Sequence, residues 1–480
     1  MALRSYFLGE AETGPGCFPL AGETRFRPAG SLGRCKMKHT FRLNAFQTLT
    51  VGLALLIFVG GVLLSLPIAS KQGSVSFLNA LFTSASASCV TGLAVADTYS
   101  QYTFFGQLVI LLLIQIGGLG FMMVSILVSF LLRRRIGLYE RSILMESVGA
   151  LKIGGVVRLT KHALIGTAVL ESVGTLLLSA WFCPRFGFWQ GLWMGIFHAV
   201  SAFCNAGFDL MGIVSPGTSF TTAAGVPLVN ITIMLLIITG GLGFVLWDDV
   251  LVHKWKVREY ALHTKIVLLT TAALIFGGAA AFYLLESRHA FAGLPVSQKI
   301  LMSFFQSVTP RTAGFNTVDM KNLSEGGTLL TMVLMFVGAG SGSTGGGIKV
   351  STFTVLLLSV IAYARRWDGI NLFRRRLDGE VVHKAFASVN LYLTTCLVGC
   401  MVLCIQGFHL EDALFESLSA IGTVGLSRGI TAMLPSASKI AIILLMFSGR
   451  VGSLSVAMAM TGLRRQRPTI KNINEKILIG

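Results

Sequence analysis

Backbone carbonyls can bind a dehydrated monovalent cation without adding a formal charge, provided glycine lets several of them face one axis. Four stretches of this 480-residue chain have the residue types for that chemistry. They are Ser88-Cys89-Val90-Thr91-Gly92-Leu93, Phe203-Cys204-Asn205-Ala206-Gly207-Phe208, Pro310-Arg311-Thr312-Ala313-Gly314-Phe315 and Ile421-Gly422-Thr423-Val424-Gly425-Leu426. The glycines are 115, 107 and 111 residues apart, longer than any solenoid unit, which reads as a fourfold-duplicated module. Each stretch follows an apolar segment too short to cross a bilayer. A helix ending there would point its negative dipole end at a cation. Glycine beside an apolar residue also occurs in ordinary membrane helices, as at Gly117-Gly118 and Gly240-Gly241. Recurrence in four equivalent positions is what separates the two readings.

A second stretch, Val337-Gly338-Ala339-Gly340-Ser341-Gly342-Ser343-Thr344-Gly345-Gly346-Gly347-Ile348-Lys349, interrupts an apolar run. Six glycines at about 1 kcal/mol each make a continuous helix costly, so the expectation is a broken helix with a loop at membrane depth. Such backbone survives only against protein or a wet cavity. A nucleotide-binding phosphate loop is excluded, because Ile348 separates the last glycine from Lys349.

Arg450 falls inside an apolar run, where a charge costs about 2.5–3.5 kcal/mol and normally faces a polar interior. It either lines a cation pathway or forms a structural ion pair with a distant acid such as Glu171. Lys349 either contacts the glycine-rich loop or snorkels to the membrane surface. Arg311 and Asn316 flank the third loop and are candidates to brace it, and His198 reads as a packing residue. Cys396, Cys400 and Cys404 share one helical face. They read as small apolar residues, with a metal or redox site as the alternative.

These residues need a membrane scaffold. The chain is 53% apolar and 12% charged with a mean hydropathy of +0.74, which excludes an ordinary soluble domain. Hydrophobic spans are expected near Ala45–Ile68, Phe104–Leu132, Val156–Phe182, Gly225–Trp247, Leu262–Leu285, Leu329–Ala364, Val382–Ile405 and Lys439–Leu463. Short pore helices fall between them, near Val75–Ser88, Trp189–Ala202, Ser297–Thr309 and Glu411–Ala420. The fold class is therefore an all-α polytopic membrane protein of four span–pore helix–span modules. The modules lie at 43–135, 152–249, 262–366 and 382–465, with tails at 1–42 and 466–480.

The net charge of +18 would suggest nucleic acid in a soluble protein. Here 29 of the 39 basic residues lie in the tails and module linkers and 8 on the loop face. This places both termini in the cytosol with no nucleic-acid partner. The loop face carries Asp97, Asp209, Glu286, Asp319, Glu325, Glu411, Asp412 and Glu416, read either as a cation-attracting vestibule or as solvated loop charge. No nucleophile–base pair or metal-ligand cluster points to catalysis.

Over residues 43–463 the chain resembles the Trk/Ktr/HKT superfamily of potassium transporters. The resemblance rests on the four loops, on Gly342-Ser343-Thr344-Gly345-Gly346-Gly347-Ile348-Lys349 and on Gly449-Arg450-Val451-Gly452. It is closer to the bacterial KtrB type than to the TrkH type, with Ser453 where KtrB-type chains usually have proline.

The resemblance implies pseudo-fourfold modules around one pore and a selectivity filter. The filter would be Val90, Thr91 and Gly92; Asn205, Ala206 and Gly207; Thr312, Ala313 and Gly314; and Thr423, Val424 and Gly425, with K+ at their carbonyls. Glycine at all four filter positions implies preference for potassium. An intramembrane gate is implied at Gly338, Gly340, Gly342, Ser343, Thr344, Gly345, Gly346, Gly347 and Lys349, working with Arg450. It further implies potassium uptake across the bacterial cytoplasmic membrane by a homodimer on a cytosolic nucleotide-binding ring of the KtrA/TrkA kind. No cofactor is expected in this chain. Basic linkers such as Arg133–Arg135 and Arg374–Arg376 would dock that ring or lipid headgroups. A Na+- or H+-coupled symporter is the alternative.

Overall fold

A computed structural model describes residues 44–133, 136–148, 154–373 and 375–461. Both tails, with Arg134, Arg135 and Arg374 of the basic linkers, lie outside the described residues.

Four helices are long and apolar enough to cross a membrane: Ala45–Ser65, Val156–Phe186, Leu262–Glu286 and Gly379–Ile405. The shortest has 21 residues, about 30 Å at 1.5 Å per residue, which matches the hydrocarbon core. Gln47 Oε1 accepts from Asn44 N at 3.0 Å at the start of the first, and Leu66-Pro67 ends it. Each span turns large apolar side chains outward: Leu55, Leu176, Phe276 and Leu397 are 61–70% exposed. A surface of that kind suits lipid rather than water.

After each span comes a helix too short to span: Phe77–Ser88, Phe188–Phe203, Val296–Val308 and Leu410–Gly422. Each packs on the span of its own module, and a return helix then leads back. The return helices close the ring. Phe104–Leu119 meets the pore helix of module two, Pro227–Leu242 that of module three, Glu325–Phe336 that of module four, and Ser436–Val451 that of module one. Lys439 Nζ donates to Asn79 Oδ1 at 2.9 Å across the last of these seams. The protein is thus an all-α polytopic membrane fold of four related modules around one axis.

The return helices differ from expectation. The runs near Phe104–Leu132, Gly225–Trp247 and Lys439–Leu463 read as unbroken spans. Instead Phe104–Leu119 and Phe121–Phe130 meet at 95°, and Pro227–Leu242 and Phe244–His253 at 92°. Ser436–Val451 likewise gives way to Ser453–Thr461. The breaks fall at Gly120, Gly243 and Gly452, with φ of 84°, 100° and 89°. A right-handed helix cannot pass through that conformation. In module three the same break is the long loop between Glu325–Phe336 and Val350–Ala364. All four return helices are therefore interrupted, and module three alone elaborates the break into a long loop.

Candidate ion pathway

Each pore helix ends in a loop with the same backbone path. Val90, Asn205, Thr312 and Thr423 have φ of 57°, 59°, 73° and 50°, and the glycine two residues later is also positive at 94°, 69°, 79° and 90°. A non-glycine residue held there stores about 1–3 kcal/mol, and the β-branched Val90, Thr312 and Thr423 tolerate it less well than Asn205. The four loops touch in cyclic order. A Cβ added to Gly92 would lie 2.5 Å from the Ala206 carbonyl oxygen, and one on Gly207 2.8 Å from that of Ala313. One on Gly314 would lie 2.5 Å from that of Val424, and one on Gly425 would strike that of Thr91. The twelve candidate filter residues are thereby brought into one ring, and the eight that are not glycine are fully buried.

A repeated hydroxyl in the last turn of each pore helix holds these loops, and it was not singled out from the sequence. Ser86 Oγ accepts from Gly92 N at 3.0 Å, and Ser419 Oγ from Gly425 N at 3.1 Å. Ser201 Oγ donates to the Phe208 carbonyl and Thr309 Oγ1 to that of Phe315, both at 2.7 Å. Aligning the four loops on their glycines puts a hydroxyl five or six residues upstream in every copy, which is the signal that reveals it.

The glycine-rich loop lies directly against the inner end of this ring. Gly346 N donates to Thr423 Oγ1 at 3.0 Å. A Cβ on Gly345 would run into Thr312 Oγ1, whose hydroxyl is also 3.2 Å from the Asn205 amide. Thr344 Oγ1 donates to the Phe203 carbonyl at 3.2 Å. The outer limb is pinned on the break in module two: Gly340 N donates to the Gly241 carbonyl and Phe244 N to that of Gly342, both at 2.8 Å. Ser343 Oγ donates back to the Gly340 carbonyl at 2.6 Å. Gly338 N donates to the Ile348 carbonyl at 2.8 Å, and Gly347, at φ 67°, turns the chain back. The loop thus meets loops two, three and four, while Val90, at the equivalent position of loop one, has a side chain that can neither donate nor accept.

Arg450 supplies the missing tie. Its guanidinium donates to the Thr344 carbonyl on one side and to the carbonyls of Gly117 and Gly118, the latter at 2.8 Å, on the other. It staples the loop of module three to the return helix of module one. The rival pairing with Glu171 is not made: Glu171 Oε2 accepts from Gln115 Nε2 at 3.2 Å instead. Lys349 Nζ donates to the Gly345 carbonyl at 2.7 Å, so it contacts the loop and does not snorkel away. Arg450 and Lys349 line one cavity under the ring with Gly117, Gly345 and Glu146.

Other singled-out residues have different roles. Arg311 is buried and turns from the ring to Thr271 Oγ1 at 3.2 Å, so it braces the span behind loop three. Asn316 anchors through its backbone, donating to Ser219 Oγ at 3.3 Å. His198 is fully buried and stacked on Phe182, accepting at Nε2 from Leu210 N at 3.0 Å. No group of three or more metal-ligating side chains occurs among the described residues, the three cysteines included.

Above the ring, one cavity is lined by all four glycines together with Asp97, Asp209, Ser219, Asn316 and Thr431. Only two of the outer-face acids reach it. Asp412 pairs with Arg428 at 2.8 Å and Glu411 pairs with the same guanidinium. Glu286 and Glu416 are fully buried and accept from the hydroxyls of Ser324 at 2.6 Å and Ser427 at 2.9 Å. Asp209 Oδ1 accepts from Met211 N at 2.9 Å. Burial nevertheless pushes the Asp209 carboxyl up to about 6, and the nearby Asp97 carboxylate adds to the rise.

Comparison with known proteins places this architecture. Residues 36–466 match the family described as TrkH, cation transport protein. The chain is 42% identical over 428 residues to the Ktr system potassium uptake protein B of Bacillus subtilis, covering 88% of this chain and 95% of that one. It is 38% identical over 451 residues to the potassium/sodium uptake protein NtpJ of Enterococcus hirae, covering 92% and 98%. The solved structure of the potassium transporter TrkH from Vibrio parahaemolyticus superposes with a TM-score of 0.68 at 17% identity, over 88% of this chain and 86% of that one. The chain is a member of the TrkH family of cation transport proteins.

Proposed function

We propose that this chain carries potassium into a bacterial cell across the cytoplasmic membrane, through the ring of loop carbonyls and past a gate formed by residues 338–347 and Arg450. The observation that carries the reading is the cyclic contact of Gly92, Gly207, Gly314 and Gly425, each against the next module's carbonyl. Four backbones so close leave room for oxygen ligands and for no side chain, which suits a dehydrated monovalent cation. The relatives named for potassium uptake support the choice of ion.

The proposed steps are these. Asp97 and Asp209 concentrate cations above the ring. The carbonyls of Thr91, Ala206, Ala313 and Val424 replace hydration water. The loop at Thr344, Gly345 and Gly346 blocks the inner end, and the Arg450 charge opposes a cation arriving there. Opening requires the loop to leave Thr423 and Arg450. In this reading the termini and linkers face the cytosol, and the chain works as a homodimer on a nucleotide-binding regulatory ring. A second reading, with Na+ as a co-transported or coupling ion, is favoured by the potassium/sodium name of the Enterococcus relative. Rb+ uptake into liposomes holding the purified chain tests both. Competition by K+ but not by Na+ is expected, and a requirement for Na+ would select the second reading.

Two further outcomes are expected. Thr423→Val removes the acceptor for Gly346 N while keeping a shape that Val90 already occupies in module one. One net hydrogen bond of about 1 kcal/mol predicts a roughly fivefold rise in basal flux; no rise would detach Thr423 from gating. With its carboxyl near 6, Asp209 is ionised at pH 7 and protonated at pH 5. Uptake from dilute Rb+ should therefore fall as pH drops through 6, and Asp209→Asn should flatten that profile at its low-pH level. An unaltered profile in the variant would remove Asp209 from cation recruitment.

A further inference from the structure

We propose that an anionic phospholipid binds in a groove on the linker side of module three, where the span Leu262–Glu286 meets the preceding linker and Phe373, beside the short strand Asn371–Leu372. The groove is lined by Arg258, Tyr260, Lys265, Leu268, Leu269 and Phe373 together with Val257. Its floor is almost wholly apolar side chain, and its two charged groups are both cations.

The cations are held at its rim. Lys265 is half-buried; its ammonium donates to the Arg258 carbonyl at 2.8 Å and stands 5.8 Å from the centre of the Phe373 ring. One of three N–H groups is used in that bond, and a phosphate can take the others. Arg258 is exposed and forms no ion pair among the described residues, the neighbouring Glu259 being taken by Lys256 at 3.4 Å. No acid lines the groove.

The floor continues onto the lipid-facing side of the span. Leu269 is 63% exposed and Phe276, two turns on, 64%. An acyl chain can leave the groove along that surface without crossing a polar patch. Trp255, 96% exposed beside the groove, has the character of an aromatic residue at a headgroup boundary. A soluble anion would use the cations and gain nothing from Leu268, Leu269 or Phe373. A zwitterionic lipid such as phosphatidylcholine would bring its own headgroup cation against Arg258 and Lys265, whereas an anionic lipid brings a phosphate that both can share. Together the pieces match the basic, apolar-floored pockets that hold anionic headgroups. The proposal requires only that the chain spans a membrane and does not depend on the potassium reading.

The test uses the full purified chain in detergent, with lipid retention followed by native mass spectrometry and stability by thermal unfolding. Phosphatidylglycerol should be retained and should raise the unfolding midpoint, and phosphatidylcholine and inorganic phosphate should do neither. Arg258→Gln combined with Lys265→Gln should cut phosphatidylglycerol retention about tenfold. Arg158→Gln combined with Lys161→Gln, an equal loss of charge at the start of module two, should leave it unchanged. Arg258→Gln alone, at an exposed position, should cut it about threefold and stands in if the double variant does not fold. Retention undiminished in the groove variants, equal loss in the module-two variant, or an equal effect of phosphatidylcholine or phosphate would each overturn the proposal.

Discussion

Serine in place of Gly314 is expected to lower the preference for K+ over Na+ at least tenfold. The new Cβ would lie 2.5 Å from the Val424 carbonyl oxygen and 3.2 Å from the Gly207 Cα, with φ at +79°. The contacts are backbone, so no flexible side chain can move aside. Loop three must shift, and loops two and four with it, because the ring is closed edge to edge. A carbonyl ring that loses its spacing loses its match to one ion radius, and tenfold corresponds to only about 1.4 kcal/mol of differential binding. Competition of K+ and Na+ against Rb+ uptake measures it. An unaltered ratio in folded protein would remove the glycine ring from selectivity.

Arg450→Ala is the second large effect, acting on flux rather than on preference. The guanidinium bridges the Thr344 carbonyl and the carbonyls of Gly117 and Gly118, and hydrogen bonds to a charged group are worth about 1.5–3 kcal/mol each. With residues 338–347 as the proposed gate, held mostly closed, losing one bond's worth is expected to raise the open fraction about tenfold to a hundredfold. The positive charge proposed to oppose a cation goes as well. Arg450→Lys should fall between, because a single ammonium cannot fork to both sides. Basal flux in liposomes reads both variants. Flux unchanged in well-folded Arg450→Ala would make the residue a scaffold element only.

Much of this arrangement was legible because it makes local demands on residue type. A backbone path with positive φ and no room for a side chain demands glycine, so the four loops stand out at their spacing. The cost of an arginine in a span drew attention to Arg450. What could not be read was which groups meet. The partners of Arg450 are carbonyls, which carry no sequence identity, whereas the nameable rival Glu171 bonds to Gln115. Glycines 120, 243 and 452 each close a short cluster, Gly117-Gly118-Leu119-Gly120, Gly240-Gly241-Leu242-Gly243 and Gly449-Arg450-Val451-Gly452; at about 1 kcal/mol each, glycines are affordable within a helix, so no single cluster marks a break, and only their recurrence does. Their equivalence emerges once the return helices are placed around a common axis. The outer acids looked alike in the sequence, yet burial separates Asp97 and Asp209, which line the cavity, from Glu286 and Glu416, which hold loops together.

The central claim is that four loops from one chain form a potassium-selective path. Rb+ uptake into liposomes containing only the purified chain, with K+ or Na+ as competitor, tests it most directly, using Arg450→Ala so that a closed gate does not mask the path. The account predicts uptake that K+ abolishes and an equal concentration of Na+ leaves nearly intact. Equal competition by both ions, or no uptake by folded Arg450→Ala protein, would contradict it.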